Sequence, residues 1–198
     1  MLRRVWFLFA HGAGAGSGSA WMKKWAQLLT RIGVVEVFDY PYQSAGRKRP
    51  DPHAALVKAH AAALAGGRAL HGADVVLIGK SMGGRIGCHL ALEAPVLGNV
   101  CLGYPLVSPS GKGPLRDQVL LDVPTPICFV QGTRDPHCPL DPLAEVLARR
   151  SGRSVLHVVP TGDHSLLATR AHLTKAGVSQ DDLDHAALDA IDAFCRSL

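Results

Sequence analysis

Asp74-Val75-Val76-Leu77-Ile78-Gly79-Lys80-Ser81-Met82-Gly83-Gly84 is the stretch on which the reading of the chain turns. Its first half is a continuous run of β-favouring apolar residues, as expected of a parallel strand buried on both faces. Its second half is Gly-x-Ser-x-Gly, and helical sequence follows from about Met82 to Glu93. A serine in a sharp strand-to-helix turn holds its hydroxyl clear of the sheet edge. The residues two before and two after it crowd each other, so only small ones fit. Gly79 and Gly83 meet that need, and Gly87 is expected to let the helix lie close to the neighbouring strands. Ser81 is therefore the candidate nucleophile. A glycine-rich helix start with an incidental serine is the alternative, and the buried strand before it argues against that.

Two phosphate-binding readings fail on spacing. Gly79-Lys80-Ser81 imitates the end of a Walker A loop, but Asp74 stands where that motif needs its first glycine. In Gly12-Ala13-Gly14-Ala15-Gly16-Ser17-Gly18 the third glycine of a dinucleotide fingerprint would fall on Ser17 or Ser19, so neither register closes.

Outward from the serine, short apolar runs alternate with longer amphipathic ones. Candidate strands are Val5–Ala10, Val34–Phe38, Val75–Ile78, Val100–Leu102, Ile127–Gln131 and Val155–Val159. Asp51-Pro52 and Asp141-Pro142 read as helix caps followed by proline at the first helical position, and Ser179-x-x-Asp182 as a capping box. Trp21, Trp25, Leu28 and Ile32 share one helical face, and Leu183, Ala187, Ile191 and Phe194 another. Both stripes read as core. The alternation predicts an α/β fold: a minimal doubly wound parallel sheet of about six strands in the order 2-1-3-4-5-6. Ligands bind such sheets at the carboxyl ends of the strands.

Two of those ends supply partners for Ser81. Ile127–Gln131 runs into Gly132-Thr133-Arg134-Asp135, and Val155–Val159 into Thr161-Gly162-Asp163-His164. The order Ser, Asp, His along the chain makes Asp135 the candidate acid and His164 the candidate base, which must be neutral to act. Asp163 adjoins His164 and reads as a loop anchor. His137 lacks a strand of its own, and His157 lies inside one. His53, His60, His71, His89, His172 and His185 read as surface residues. The amides of Met82 and Ala13 are the candidate oxyanion hole, the second from the loop His11-Gly12-Ala13-Gly14. His11 reads mainly as a loop organiser. His11, Gly12, Lys80, Tyr40, Tyr42 and Tyr104 are candidates to line the substrate pocket. No histidine or cysteine spacing suggests a metal site, and no cofactor is expected.

The chain's 198 residues suit one domain, 1–198, with a full core. It is 47% hydrophobic and 19% charged, which excludes a disordered chain, and its net charge is +5. Arg47-Lys48-Arg49, the densest basic run, reads as a solvated loop, and no nucleic-acid motif accompanies it. The five cysteines form no C-x-x-C pair, which points to a reducing, cytoplasmic setting. No apolar run is long enough to span a membrane. Met1-Leu2-Arg3-Arg4 before an apolar run hints at a signal peptide, but the run is short and reads better as a strand.

These residues complete a resemblance. Phe38-Asp39-Tyr40-Pro41-Tyr42, Gly46-Arg47-Lys48-Arg49-Pro50-Asp51, Gly79-Lys80-Ser81-Met82-Gly83-Gly84-Arg85, Gly103-Tyr104-Pro105-Leu106, Val130-Gln131-Gly132-Thr133-Arg134-Asp135-Pro136 and Gly162-Asp163-His164-Ser165 are similar to one α/β-hydrolase family. That family groups the testis-expressed hydrolase-like protein with the hydrolase-like domain of subunit three of the non-specific-lethal complex, and its broader kin are dienelactone-hydrolase-like. The resemblance implies the α/β-hydrolase fold, here without the first two strands of the full-length form, and the same three residues as nucleophile, acid and base. It implies no substrate.

The stretch from Val107 to Pro124 is too short for a lid or cap domain, so an open site is expected, with a shallow acyl pocket shaped by the Ala13 loop, Tyr40–Tyr42 and Tyr104–Leu106. The expected activity is a serine esterase or thioesterase acting on small acyl groups, a monomer without nucleic-acid or membrane partners. The alternative is a catalytically silent interaction module.

Overall fold

The computed structural model describes residues 5–108, 110–111 and 113–198. Met1–Arg4, where the signal-peptide hint lay, and Pro109 and Lys112 of the expected lid segment fall outside the described residues.

Six strands form one all-parallel sheet: β1 (Trp6–Ala10), β2 (Val34–Phe38), β3 (Val75–Lys80), β4 (Gly98–Leu102), β5 (Ile127–Gly132) and β6 (Ser154–Val159). Their order is β2-β1-β3-β4-β5-β6, as the alternation predicted. The eight helices are α1 (Ala20–Leu29), α2 (Pro41–Ser44), α3 (His53–His71), α4 (Met82–Leu90), α5 (Gln118–Asp122), α6 (Leu140–Arg149), α7 (Arg170–Ala176) and α8 (Gln180–Arg196) among the described residues.

Strand side chains alternate between faces, and the packing follows that alternation. Phe7, Phe9, Val76, Ile78, Val100, Leu102, Cys128 and Val130 pack with Met22, Trp25 and Leu29 of α1 and Ala187, Leu188, Ile191 and Phe194 of α8. On the other face, Trp6, Leu8, Val75 and Leu77 meet Leu64 of α3 and Leu90 of α4. Cys101, Ile127 and Phe129 meet α5 and α6 there. Both faces are covered, so β1, β3, β4 and β5 are buried throughout apart from Lys80. Both aromatic stripes pack against the core as expected, with Trp21, Leu28, Ile32 and Leu183 half-buried at its edge and Ile32 past the end of α1.

The capping box at α8 is present: Ser179 caps Asp182, and Asp182 bonds back to Ser179. The two Asp-Pro caps are not. α3 starts one residue later, with Pro52 as its cap, because Asp51 pairs with Arg47 at 2.6 Å instead. α6 starts earlier, at Leu140, which puts Asp141 inside its first turn, still favourably placed against the helix dipole. His60 is a further correction, being fully buried between α3 and the sheet rather than at the surface, with Nδ1 against Tyr40 Oη at 3.2 Å. Burial pushes its pKa down to about 3.

Arg150 is buried at the corner where α5, β5 and β6 meet. It donates to the carbonyls of Leu120, Val123, Thr125, Gly152 and Arg153 and to Ser154 Oγ, at 2.6–3.2 Å. All five cysteines are free thiols. Among the described residues no helix is long and apolar enough to cross a membrane.

Candidate active site

Ser81 sits between the end of β3 and the first residue of α4 at φ 50°, ψ −112°. This left-handed conformation is costly for a residue with a Cβ. What holds it is the absence of side chains around it. A Cβ on Gly79 would lie 2.1 Å from the Gly84 nitrogen, and one on Gly83 would lie 2.5 Å from the Ala10 carbonyl oxygen. The two glycines are a steric necessity of the turn. Gly87 is not, since its nearest contacts would be an ordinary 3.4 Å or more. The close approach to β4 is made at Gly84 instead, where a Cβ would lie 3.3 Å from Cys101 Cα.

The ends of β5 and β6 bring the other two residues to the serine. A Cβ on Gly132 would lie 2.2 Å from the Gly162 carbonyl oxygen, so bare backbone lets the two strand ends touch. His164 Nε2 is then 2.8 Å from Ser81 Oγ, and His164 Nδ1 is 2.8 Å from Asp135 Oδ2. Asp135 is buried and His164 half-buried. Burial alone would push the Asp135 carboxyl up. Its bonds from His164, from the His137 amide at 2.8 Å and from Gln131 Nε2 at 2.6 Å outweigh that and hold it below the usual carboxylate range. Asp163 accepts the amides of Ser165 at 2.7 Å and Leu167 at 3.0 Å, fixing the loop as expected. The ring of His137 packs edge-on against His164, with centroids 4.7 Å apart.

Of the six pocket candidates, Gly12 and Lys80 line the cleft around Ser81. His11, Tyr40, Tyr42 and Tyr104 do not: all four are fully buried behind it. An aromatic residue just past a strand can turn outward or inward. These turn inward because each ring packs in the core and each hydroxyl finds a partner there. Tyr42 Oη donates to the Ala13 carbonyl at 3.3 Å, supporting the 12–14 loop from behind. Tyr104 Oη donates to Arg116 O at 2.7 Å, and Tyr40 bonds His60. His11 is the loop organiser it was expected to be, with Nδ1 2.6 Å from Gly12 O and Nε2 accepting the Tyr40 amide at 3.1 Å. Lys80 Nζ donates to the His164 carbonyl and lies 5.3 Å from the Trp21 ring centre. Burial pushes it down to about 8, against the pull of Asp135 and Asp163.

The cleft has a volume of about 700 Å³, within the range of small-molecule sites. Ala13, Met82 and His164 line it, with apolar wall from Trp21, Met22, Leu56 and Pro105. No lid lies over it among the described residues. The helix of the expected lid segment, α5, buries Val119 and Leu120 in the core beside α6. The start of α3 supplies His53 and α4 supplies Arg85, two lining residues that sequence reasoning missed. Gln131, also missed, had a usable signal: it is the polar residue in an otherwise apolar strand. Among the described residues no three His, Cys, Asp or Glu side chains gather as metal ligands would.

The sequence profile of the alpha/beta hydrolase domain family matches residues 3–196. The fold is also similar to an alpha-beta serine hydrolase homologue from Coxiella burnetii, with 16% identity and a TM-score of 0.70 over 98% of this chain and 84% of that one. A hydrolase of the alpha/beta superfamily from Xanthomonas campestris pv. campestris is 24% identical, with a TM-score of 0.62 over 98% of this chain and all of its own. Est1E from Butyrivibrio proteoclasticus is 13% identical, with a TM-score of 0.64 over 96% of this chain and 90% of its own.

Proposed function

The chain belongs to the alpha/beta hydrolase domain family, and on that premise we propose that it is a serine hydrolase cleaving carboxylic esters or thioesters of small acyl groups. The observation that carries this reading is the pair of 2.8 Å contacts linking Ser81 Oγ to His164 and His164 to Asp135. His164 Nε2 takes the Ser81 proton as Oγ attacks the acyl carbon. Asp135 holds the imidazole tautomer and stabilises the imidazolium that forms. The amides of Ala13 and Met82 receive the developing oxyanion. Collapse expels the alcohol or thiol, which takes the proton from His164. Water, deprotonated by the same histidine, then releases the acid from the acyl-serine.

The Gly79–Arg85 segment supports placing the chain beside the testis-expressed hydrolase-like protein and the non-specific-lethal subunit. The free thiols support a cytoplasmic setting. The unlidded cleft supports short acyl groups. Each buried methylene adds about 0.8 kcal/mol only while it has a wall to touch, so rate gains along an acyl series should stop early.

A fluorophosphonate probe tests the reading on the native protein. Labelling of the wild type, and none of Ser81→Ala, is the expected result. An inert interaction module would leave the wild type unlabelled as well.

A further inference from the structure

The wall of the cleft beyond the serine carries an arginine, Arg85, that no carboxylate among the described residues pairs. Arg85 lies one helical turn beyond Ser81, its amide bonded to the Ser81 carbonyl at 3.2 Å, so its Cα is about 5–6 Å further down α4. It lines the cleft, yet no carboxylate among the described residues comes within ion-pairing distance of it. Nη1 reaches only His89 Nε2, at a long 3.5 Å, and Nε is buried without a hydrogen-bond partner. Arg116 and His53 line the same cleft, and the His53 ring packs edge-on against His89, centroids 4.2 Å apart.

The acid within the cleft, Asp51, is held by Arg47 at 2.6 Å. The ammonium there, Lys80, is engaged with the His164 carbonyl. Burial pushes the Arg85 guanidinium down, and the nearby Arg116 adds to that. Burial, then His53 and Arg85, push His89 down to about 4. A guanidinium drawn out of water is costly unless it is paired. Its planar fork matches the oxygens of a carboxylate or a phosphate.

We propose that Arg85, with Arg116, is a subsite for an anionic group of the substrate, a carboxylate or phosphate held about one helical turn from the scissile carbonyl. The proposal rests on the hydrolase reading above and narrows it to acidic esters. Leu56 and Met82, which also line the cleft, offer apolar contact to the chain between the two groups.

The test compares matched 4-nitrophenyl esters at neutral pH: hexanoate, the adipate half-ester, and the 6-phosphonohexanoate ester. A charge-assisted, bidentate contact should raise kcat/KM for an acidic ester over hexanoate by about tenfold or more, chiefly through KM. Whichever acidic ester gains more identifies the anion. In Arg85→Met the ratio should fall close to one, and in Arg85→Lys it should fall only in part. Because the ratio is taken within one protein, loss of folded enzyme cancels.

A wild-type ratio near or below one, or a ratio that survives Arg85→Met, overturns the proposal. If fluorophosphonate does not label Ser81 and no ester is cleaved, the hydrolase reading has failed, and direct binding then decides the subsite. Adipate and inorganic phosphate are titrated into wild type and Arg85→Met by calorimetry. Binding by the wild type alone supports the subsite, and no binding, or equal binding, removes it.

Discussion

Arg150 is buried and Arg85 half-buried, and the two arginines are treated in opposite ways. At the corner of α5, β5 and β6, Arg150 gives its guanidinium hydrogens to five carbonyls and a hydroxyl. In the cleft wall, Arg85 has one long contact to an imidazole and a buried Nε with no partner. The first arginine is finished: it ties the end of α5 and the turn after it to the turn that leads into β6, and it has nothing left to offer a ligand. The second keeps open what the fold could have closed. Backbone conformation also sets the carboxyl edge of the sheet apart. Left-handed non-glycine residues among those described are Ser81, Thr161 and Leu166, all in the elbow or in the loop that carries His164. Backbone strain gathers where chemistry is proposed.

The largest expected effect breaks the contrast on the active side. Ser81→Ala should lower esterase turnover by a factor on the order of 10⁶. Its thermal midpoint should stay at or above that of the wild type, because the elbow is relieved of a hydroxyl and not of a packing group. Wild-type rates on 4-nitrophenyl esters would remove Ser81 from its role. Asp135→Asn should cost on the order of 10⁴ in kcat, since the amide disturbs the tautomer of His164. Asp163→Asn, which perturbs only the loop, should cost far less, and a larger loss at Asp163 would reverse the assignment.

On the structural side the order inverts. Arg150→Met should leave KM and the fluorophosphonate labelling rate of the folded protein near wild type while removing about 3 kcal/mol of stability. For a chain of this length that is about 6–12 °C in the melting midpoint. Equal loss of labelling rate in the folded fraction would blur the separation of the two regions.

His60 sharpens it through pH. The unfolded chain binds a proton on this histidine near its ordinary 6.5, whereas the folded protein resists until about 3. At this site the unfolded state therefore holds more protons throughout that window, so the contribution of His60 to stability falls as pH falls from about 6.5. Between pH 6.5 and 4.5 the His60 share is about 2 kcal/mol. Urea unfolding should show that much less acid sensitivity in His60→Gln, and an unchanged slope would mean that the imidazole is already charged in the folded state. The smallest effect concerns the open cleft. Butyryl esters should be turned over better than palmitoyl esters, with no jump in rate on adding lipid droplets, and the reverse preference would imply a deeper acyl channel.

The sheet was legible because its strands are continuous apolar runs, and those can be satisfied only by burial on both faces. The elbow was legible because Gly79 and Gly83 have no substitute at their spacing. Asp135 and His164 were found as the polar residues directly after such runs. The pocket lining was not legible. Whether Tyr40, Tyr42 and Tyr104 turn inward depends on partners from elsewhere in the chain, such as His60 and the carbonyls of Ala13 and Arg116. Asp51 failed as a cap because Arg47, one turn away, competes for its carboxylate. Arg85 looks in the sequence like any polar residue on a helix, and what distinguishes it, the lack of a counter-ion, exists only once the chain has closed around it.

The hydrogen bond from Ser81 to His164 spans 83 residues, and that from His164 to Asp135 spans 29. No local segment of the chain holds more than a fragment of the constellation. Parallel strands must wait for long crossovers to close, which makes such pairings late events. Strand β6 and the loop behind it follow the elbow in the chain, after β4 and β5, so during synthesis the elbow can exist well before anything can draw the proton from its serine. Catalytic competence becomes a clock for the last docking step, and a nascent or truncated chain is kept chemically quiet by its topology alone.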